Sequence, residues 1–315
     1  MTKFDFYITY LCNSNCKFCC VRDKLVWFQR KGKRAMLTYD EVKQILVKKR
    51  QDGFDYVTFT GGEPTIHPDF IKIMAFSKKL GFRTSVNSNM STLSDPEFCE
   101  EAIQYIDEAV ASIHGHTPKV HNALTGMKDG FQKFMQAMDN LEKSEKDIYL
   151  ITDTVILTDN VNHLVDIVHL VTGYKKVRHI LFSNVNLPPD SVESLKHLVV
   201  PMPEIRKILP AIHSEVVVKK GLILRYYGLP FCILGDYLSQ SADLFFDPKK
   251  VIERSTGDDG MVDKEIEVWK PTMAKIHDKK CRRCIYYEVC GGYFRSYHAI
   301  YGDAHIKPVL KKTLP

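Results

Sequence analysis

From residue 4 onward, short runs in which apolar and polar positions alternate are followed by longer stretches with apolar residues three or four apart. Alternation marks a half-buried strand, and the wider spacing marks one face of a helix. Six runs read as strands: 4–10 (FDFYITY), 56–60 (YVTFT), 83–88 (RTSVNS), 108–115 (EAVASIHG), 149–157 (YLITDTVIL) and 179–185 (HILFSNV). Thr38 and Glu41 form a capping box ahead of a helix carrying Val42, Ile45 and Leu46, which Gly53 ends. Pro68 opens a helix with Phe70, Ile71, Met74 and Ala75 on one face, and Gly81 stops it. Ser94 and Glu97 repeat the capping-box pattern, a further helix spans 130–143, and Asn160 is expected to cap a helix carrying Leu164, Ile167, Val168 and Val171.

Strands alternating with helices predict a parallel sheet with right-handed crossovers. Six units are too few for a closed eight-stranded barrel, which leaves a partial barrel or an open sheet. Prolines at 188, 189, 201 and 203 then break the rhythm. A helical piece at 204–212, an apparent β-hairpin at 215–227 turning on Gly221, and a turn at 255–260 (STGDDG) follow. The expected division is a core over 1–205 and a small cysteine-rich appendage over 206–315.

Composition narrows the class. The chain has 315 residues, 44% hydrophobic and 26% charged, which is globular rather than disordered. No apolar run approaches the length of a membrane helix, so no membrane partner is expected. The first ten residues, MTKFDFYITY, lack the basic-then-apolar order of a secretory signal, and a cytoplasmic location follows as the expectation. The net charge of +6 is scattered in groups such as Lys48–Lys49–Arg50 and Arg282–Arg283, a solvated surface rather than a nucleic-acid footprint. Nine cysteines in a reducing compartment point to metal or redox chemistry rather than disulfides.

Three of them, Cys12, Cys16 and Cys19, follow the first strand at the end of a parallel sheet where sites form. Three thiolates leave one iron of a cubane cluster without a protein ligand. A zinc ion completed by a histidine is the alternative that spacing alone allows. After the second strand, at the same end, comes TGGEP (Thr60–Pro64). Gly61 and Gly62 permit close backbone approach to a ligand and Glu63 offers a carboxylate to an amine, although such a turn can also be simple punctuation.

The Cys12-x3-Cys16-x2-Cys19 pattern, with Phe18 ahead of its third cysteine, resembles the signature of the radical S-adenosylmethionine (SAM) superfamily, and TGGEP is similar to that family's GGE motif. The resemblance implies an α/β fold, a partial (β/α)6 barrel of TIM type with a small cysteine-rich C-terminal extension. It implies that Cys12, Cys16 and Cys19 hold a 4Fe-4S cluster whose open iron is chelated by SAM, and that reduction yields a 5′-deoxyadenosyl radical that takes hydrogen from a substrate. Phe18, Gly61, Gly62 and Glu63, with Asn87, Ser88 and Ser112 at the ends of strands three and four, are the implied SAM contacts. Thr154 and Asn184, on strands five and six, are candidates for substrate contact. His114, His116 and His121 are read as loop caps or substrate contacts, because no carboxylate pattern accompanies them.

Near the C-terminus, Cys281-x2-Cys284-x5-Cys290, with Cys232 upstream, supplies four thiols to a loop-rich tail that a metal would staple. Four-cysteine zinc is again the alternative. The tail resembles the auxiliary-cluster extensions of radical SAM enzymes, called SPASM with two clusters and twitch with one. No cysteine follows Cys290, so the resemblance implies one second 4Fe-4S cluster, fully ligated and acting as electron conduit, acceptor or scaffold. Cys20 is expected to be packed, and Cys99 to be a buried apolar residue.

The expected function is SAM-dependent radical modification or biosynthesis acting on a peptide or small-molecule metabolite, with an electron donor such as flavodoxin or ferredoxin. Little chain precedes the first strand, which leaves no room for an N-terminal peptide-recognition domain and weakens the leader-peptide reading, a separate protein being the remaining source of such recognition. The rival from another class is a zinc-binding, RNA-associated interaction protein.

Overall fold

A computed structural model describes residues 2–245, 249–254, 263–268 and 274–311. The turn expected at 255–260 lies outside the described residues. In chain order the elements are β1 (Lys3–Thr9), α1 (Arg22–Arg30), α2 (Tyr39–Gln51), β2 (Tyr56–Gly61), α3 (Phe70–Lys79), β3 (Arg83–Ser88), α4 (Pro96–Ile103) and β4 (Glu108–Ser112). Then come α5 (Pro118–Thr125), α6 (Gly130–Lys143), β5 (Tyr149–Ile156), α7 (Leu164–Val171), β6 (Val177–Asn184), α8 (Val192–Leu195) and α9 (Met202–His213). The remainder comprises β7 (Ile223–Tyr227), α10 (Phe231–Leu234), β8 (Lys249–Arg254), β9 (Asp263–Val268), β10 (Lys275–Ile276), β11 (Tyr293–Phe294) and α11 (Arg295–Tyr301).

The six expected strands form one parallel run, β1 to β6, each beside its predecessor. This is the α/β, partial-barrel architecture. The run is longer than expected: β7 adds in parallel beyond β6, β8 adds in parallel on the far side of β1, and β9 pairs antiparallel with β8.

Alternation decides which side chains build the core and which face the other way. On β1, Phe4, Phe6 and Ile8 are fully buried, while Asp5 and Tyr7 between them are half-buried. Strand β5 repeats this with Leu150, Thr152, Thr154 and Ile156 buried, and Tyr149, Ile151, Asp153 and Val155 on the opposite, concave face. The core thus lies between the sheet and its helices, where Phe4 meets Phe54 and Phe82 edge to face at 5.4 and 5.9 Å.

Three local expectations are corrected. The helix after strand three is capped by Asp95, whose side chain accepts from Phe98 N–H, and Pro96 occupies its first position; the Ser94 hydroxyl instead donates to Ser91 C=O. Asn160 does not cap α7 with its side chain but lies fully buried between loops. The hairpin at 215–227 is absent: residues 214–219 continue α9 as a π-helical turn, and Gly221 ends it at φ +64°. Three valines in sequence favour a strand, but Val216 is buried while Val218 is exposed, and Glu215 pairs with His169 on α7 and with Lys219 one turn on. Tertiary packing overrides β-propensity there.

The C-terminal portion is built differently. Beyond β9 the described residues carry the short ribbon β10–β11, one 3₁₀ turn at Lys279–Arg283 and α11, which stitches this portion to the barrel. Tyr297 Oη accepts from Met202 N–H at 2.8 Å, Tyr301 Oη donates to Val199 C=O at 2.9 Å, and Ser296 Oγ accepts from Leu187 N–H at 3.2 Å.

Candidate functional site

The loop carrying Cys12, Cys16 and Cys19 leaves the C-terminal end of β1 and is bound on several sides. Toward β2, Gly62 N–H donates to Thr9 C=O at 2.7 Å and Glu63 N–H to Leu11 C=O at 2.9 Å. A Cβ on Gly61 would sit 2.0 Å from Thr9 O, and one on Gly62 would sit 2.1 Å from Leu11 O. The two glycines therefore let the β2 loop lie directly against the backbone that leads into Cys12. Toward β3, the Asn89 amide donates to Asn13 Oδ1 at 2.8 Å and Ser14 Oγ at 3.0 Å, and reaches Cys12 Sγ at 4.0 Å. Toward α5, Asn15 N–H donates to Thr125 C=O and Lys17 N–H to Leu124 C=O. Toward β4, Phe18 packs edge-on against His114 at 4.8 Å.

All three thiols are half-buried. Burial pushes Cys12 up, with Glu63 and Cys19 adding to it. Burial also pushes Cys16 up to about 12, with Cys19 and Cys12 adding. Thiols that oppose one another's ionisation want a cation between them.

Glu63 is buried and holds the β2 and β3 loops together. Its Oε1 accepts from Thr65 N–H (3.2 Å), Thr65 Oγ1 (2.6 Å) and Ser88 Oγ (2.9 Å), and its Oε2 accepts from Asn89 N–H at 2.7 Å. Burial raises its pKa while these donors pull it back down. Ser88 lies on the buried face of β3, whereas half-buried Asn87 lies on the concave face, its amide 3.4 Å from Thr60 Oγ1. Ser112 ends β4 on the concave side, in register with Asp153.

Thr154 and Asn184 do not face the mouth. Both are buried on the helix side: Thr154 Oγ1 donates to Ile113 C=O at 2.6 Å and Asn184 Nδ2 to Gly228 C=O at 3.3 Å. The concave positions beside them are Asp153 and Ser183, joined by a 2.8 Å hydrogen bond from Ser183 Oγ. Burial raises Asp153 to about 6. Strand parity alone distinguishes Asp153 from Thr154, and it was the available signal. His114 and His121 act as loop caps: His121 Nδ1 accepts from His114 N–H and His114 Nδ1 from Val155 N–H. Burial holds His114 down to about 3 and His121 to about 4, so both rings stay neutral.

The four C-terminal cysteines meet. Cys232, Cys281, Cys284 and Cys290 line one small cavity together with His277 and Tyr287. Burial pushes Cys232 up to about 11, and the other three thiols add to it. His277 Nε2–H is taken up by Cys290 C=O at 2.8 Å. Beside Cys290, Lys275 and Asp243 form an ion pair at 2.7 and 2.8 Å with side chains 0% and 1% exposed. Gly291 makes room for it, since a Cβ there would lie 2.0 Å from Asp243 Oδ2. Lys275 Nζ also stands 4.6 Å from the Tyr227 ring of β7. Cys99 is buried as expected, but Cys20 is exposed rather than packed.

Among the described residues, the group of His, Cys, Asp or Glu donors that all lie within 4.8 Å of one another is His116, His163 and Asp166.

A family model described as Radical SAM superfamily matches residues 6–171, more than half of the chain. The chain belongs to the radical SAM superfamily. It is 32% identical over 128 residues to an S-adenosylmethionine-dependent nucleotide dehydratase of Lacinutrix mariniflava, covering 39% of this chain and 26% of that protein. It is 26% identical over 145 residues to a probable GTP 3′,8-cyclase of Saccharolobus islandicus, covering 46% and 43%. The chain thus spans less than half the length of these curated relatives. Among solved structures, anSMEcpe with bound AdoMet superposes with a TM-score of 0.65 at 16% identity, covering 97% of this chain and 93% of that one. SuiB of Streptococcus suis bound to S-adenosylmethionine gives 0.65 at 12% identity, covering 99% and 76%. These likenesses are of fold.

For a radical SAM chain, the anchors that sequence reading missed are Asn89 and His114, which hold the cysteine loop from the β3 and β4 sides. Asn89 stood one residue beyond Ser88, and His114 was weighed only as one of three histidines. Among the described residues, no helix is long and apolar enough to cross a membrane.

Proposed function

We propose that this chain is a radical SAM enzyme with one auxiliary 4Fe-4S cluster, modifying a peptide or small metabolite at an unactivated C–H bond. The observation that carries the reading is the seating of the Cys12–Cys19 loop against the TGGE backbone at the C-terminal end of the sheet. When bound there, a 4Fe-4S cluster with SAM supplies reductive cleavage of the sulfonium.

The chain's own residues do the rest. Cys12, Cys16 and Cys19 are the cluster ligands. Phe18, packed on His114, fixes the loop before its third cysteine. Glu63 positions the loops around Cys12, and its Oε2 retains acceptor capacity for the amine of SAM. Asn87 and Ser112, on the concave side, are the contacts for the rest of SAM, with Ser88 acting through Glu63. Gly61 and Gly62 bring the backbone close.

Cys232, Cys281, Cys284 and Cys290 are the ligands of the second cluster, a twitch-type extension over 206–315 beside a core over 1–205. A nucleotide falls within the small-metabolite class, and the names of the two curated relatives favour that arm. A peptide is favoured by the fold likeness to SuiB bound to its precursor peptide SuiA, with a TM-score of 0.54 at 15% identity.

Anaerobically purified protein is expected to be brown with about eight irons, falling to about four in Cys284→Ser. Reduced with dithionite or a flavodoxin-type donor in the presence of SAM, it should release 5′-deoxyadenosine. Colourless protein carrying zinc would sink this reading.

A further inference from the structure

We propose that His116, His163 and Asp166 form a separate site for one divalent transition-metal ion of the zinc class, at the rim formed by the loops after β4 and β5. The site does not rest on the cluster chemistry above. One donor atom from each residue lies within 4.8 Å of the other two. The imidazole rings of His116 and His163 stack at 4.2 Å with an interplanar angle of 27°, and His163 Nδ1 stands 3.0 Å from Asp166 Oδ2. Zinc held by nitrogen and oxygen donors at about 2.0–2.2 Å needs donor separations of roughly 3.3–3.6 Å, so a shift of about an ångström closes the set.

An independent observation points the same way. His116 Nδ1 is buried and lacks a hydrogen-bond partner. A buried polar atom left unmatched costs free energy, and a metal bond would satisfy it.

The scaffold beneath is rigid. Asn160 is fully buried, donates to His114 C=O at 3.0 Å and Val155 C=O at 2.9 Å, and accepts from Leu157 N–H at 2.8 Å. Its own carbonyl accepts from His163 N–H at 2.8 Å. The loop bearing His116 and the turn bearing His163 are thereby tied through one residue, by its side chain and its main chain, and Asp166 follows on the first turn of α7. Two imidazoles and a carboxylate suit zinc, cobalt or nickel rather than an iron–sulfur cluster. Three protein donors leave a further position for water or an anionic group. The sequence offered His116 without a carboxylate; folding brings one from fifty residues away.

The test uses cluster-loaded protein, so that its cysteines are occupied, titrated anaerobically with Co²⁺ and then competed with Zn²⁺. Wild type should take up one further equivalent with visible ligand-field bands of nitrogen and oxygen coordination, and no new thiolate charge-transfer absorption. His163→Ala and Asp166→Asn should each weaken binding by roughly tenfold or more, while His169→Ala, on the same helix but paired with Glu215, should not. Asp166 is exposed, so Asp166→Asn decides the matter if His163→Ala fails to fold. Absence of uptake by wild type, binding with thiolate absorption, or equal affinity in Asp166→Asn would overturn the proposal. Loss of the clusters themselves reads out separately, as lost iron.

Discussion

The chain gathers thiols in two places and supports them in opposite ways. The Cys12–Cys19 loop hangs from a strand of the main sheet and is tied by backbone hydrogen bonds to the β2 loop and to the end of α5. The Cys232–Cys290 cavity is walled by 3₁₀ turns, a two-residue ribbon and one short helix, and its nearest charged support is a buried ion pair. Apolar packing of Tyr293, Phe294 and Tyr297 and the hydrogen bonds of α11 tie it to the barrel, and a metal core would add a further tie between its walls. Three thiols on a rigid frame suit a site that must leave a position open; four thiols in a weak frame suit a site that is also its own structural staple.

The largest expected contrast comes from removing one thiol at each site. Cys16→Ala should abolish 5′-deoxyadenosine formation while shifting the melting temperature little. Cys284→Ser should leave SAM cleavage measurable but make the C-terminal portion sensitive to limited proteolysis.

Next in size is Lys275→Met, which strands Asp243 as a buried carboxylate. Breaking a buried pair from one side costs about 3–5 kcal/mol, read by denaturant unfolding, and Asp243→Leu in the same chain should restore much of it. Burial already pushes Lys275 down and Asp243 up against their mutual attraction, which is the reason removing both partners is milder than removing one.

Gly62→Ala sharpens the comparison at the barrel mouth. Its Cβ would meet Leu11 O at 2.1 Å, so a loss of about 2 kcal/mol or more is expected. Iron should drop at the first site only.

The smallest effect is on pH dependence. His121 is held at about 4 against an ordinary 6.5, so the unfolded chain binds the proton first. Stability should fall as pH drops below about 6.5, by about 1 kcal/mol near pH 5.5. His121→Phe should make that slope shallower in melts followed across pH, His114 and His179, also held down by burial, supplying the rest.

How far these features were legible follows from their range in sequence. Strands β1 to β6 could be read because alternation is local, and the Thr38–Glu41 capping box because its partners lie three residues apart. Val216–Val218 misled because the choice between strand and helix there depends on α7, a remote element. The three thiols of the first loop and the TGGE turn were readable as motifs. Their coupling through Thr9 and Leu11 was not, since nothing local says that two loops fifty residues apart touch. Thr154 faces away from the mouth and Asp153 toward it, and a polar residue at a strand end carries no sign of which face it occupies until burial of its neighbours is known. The four C-terminal cysteines were readable as a set, whereas the Lys275–Asp243 pair beside them had no sequence pattern at all.

The most direct test is electron paramagnetic resonance of dithionite-reduced Cys284→Ser protein, in which the first cluster is observed alone. Adding SAM should change that cluster's spectrum, because three thiols leave one iron free to bind it. A spectrum identical with and without SAM, in protein whose iron content shows the first site to be full, would contradict the account.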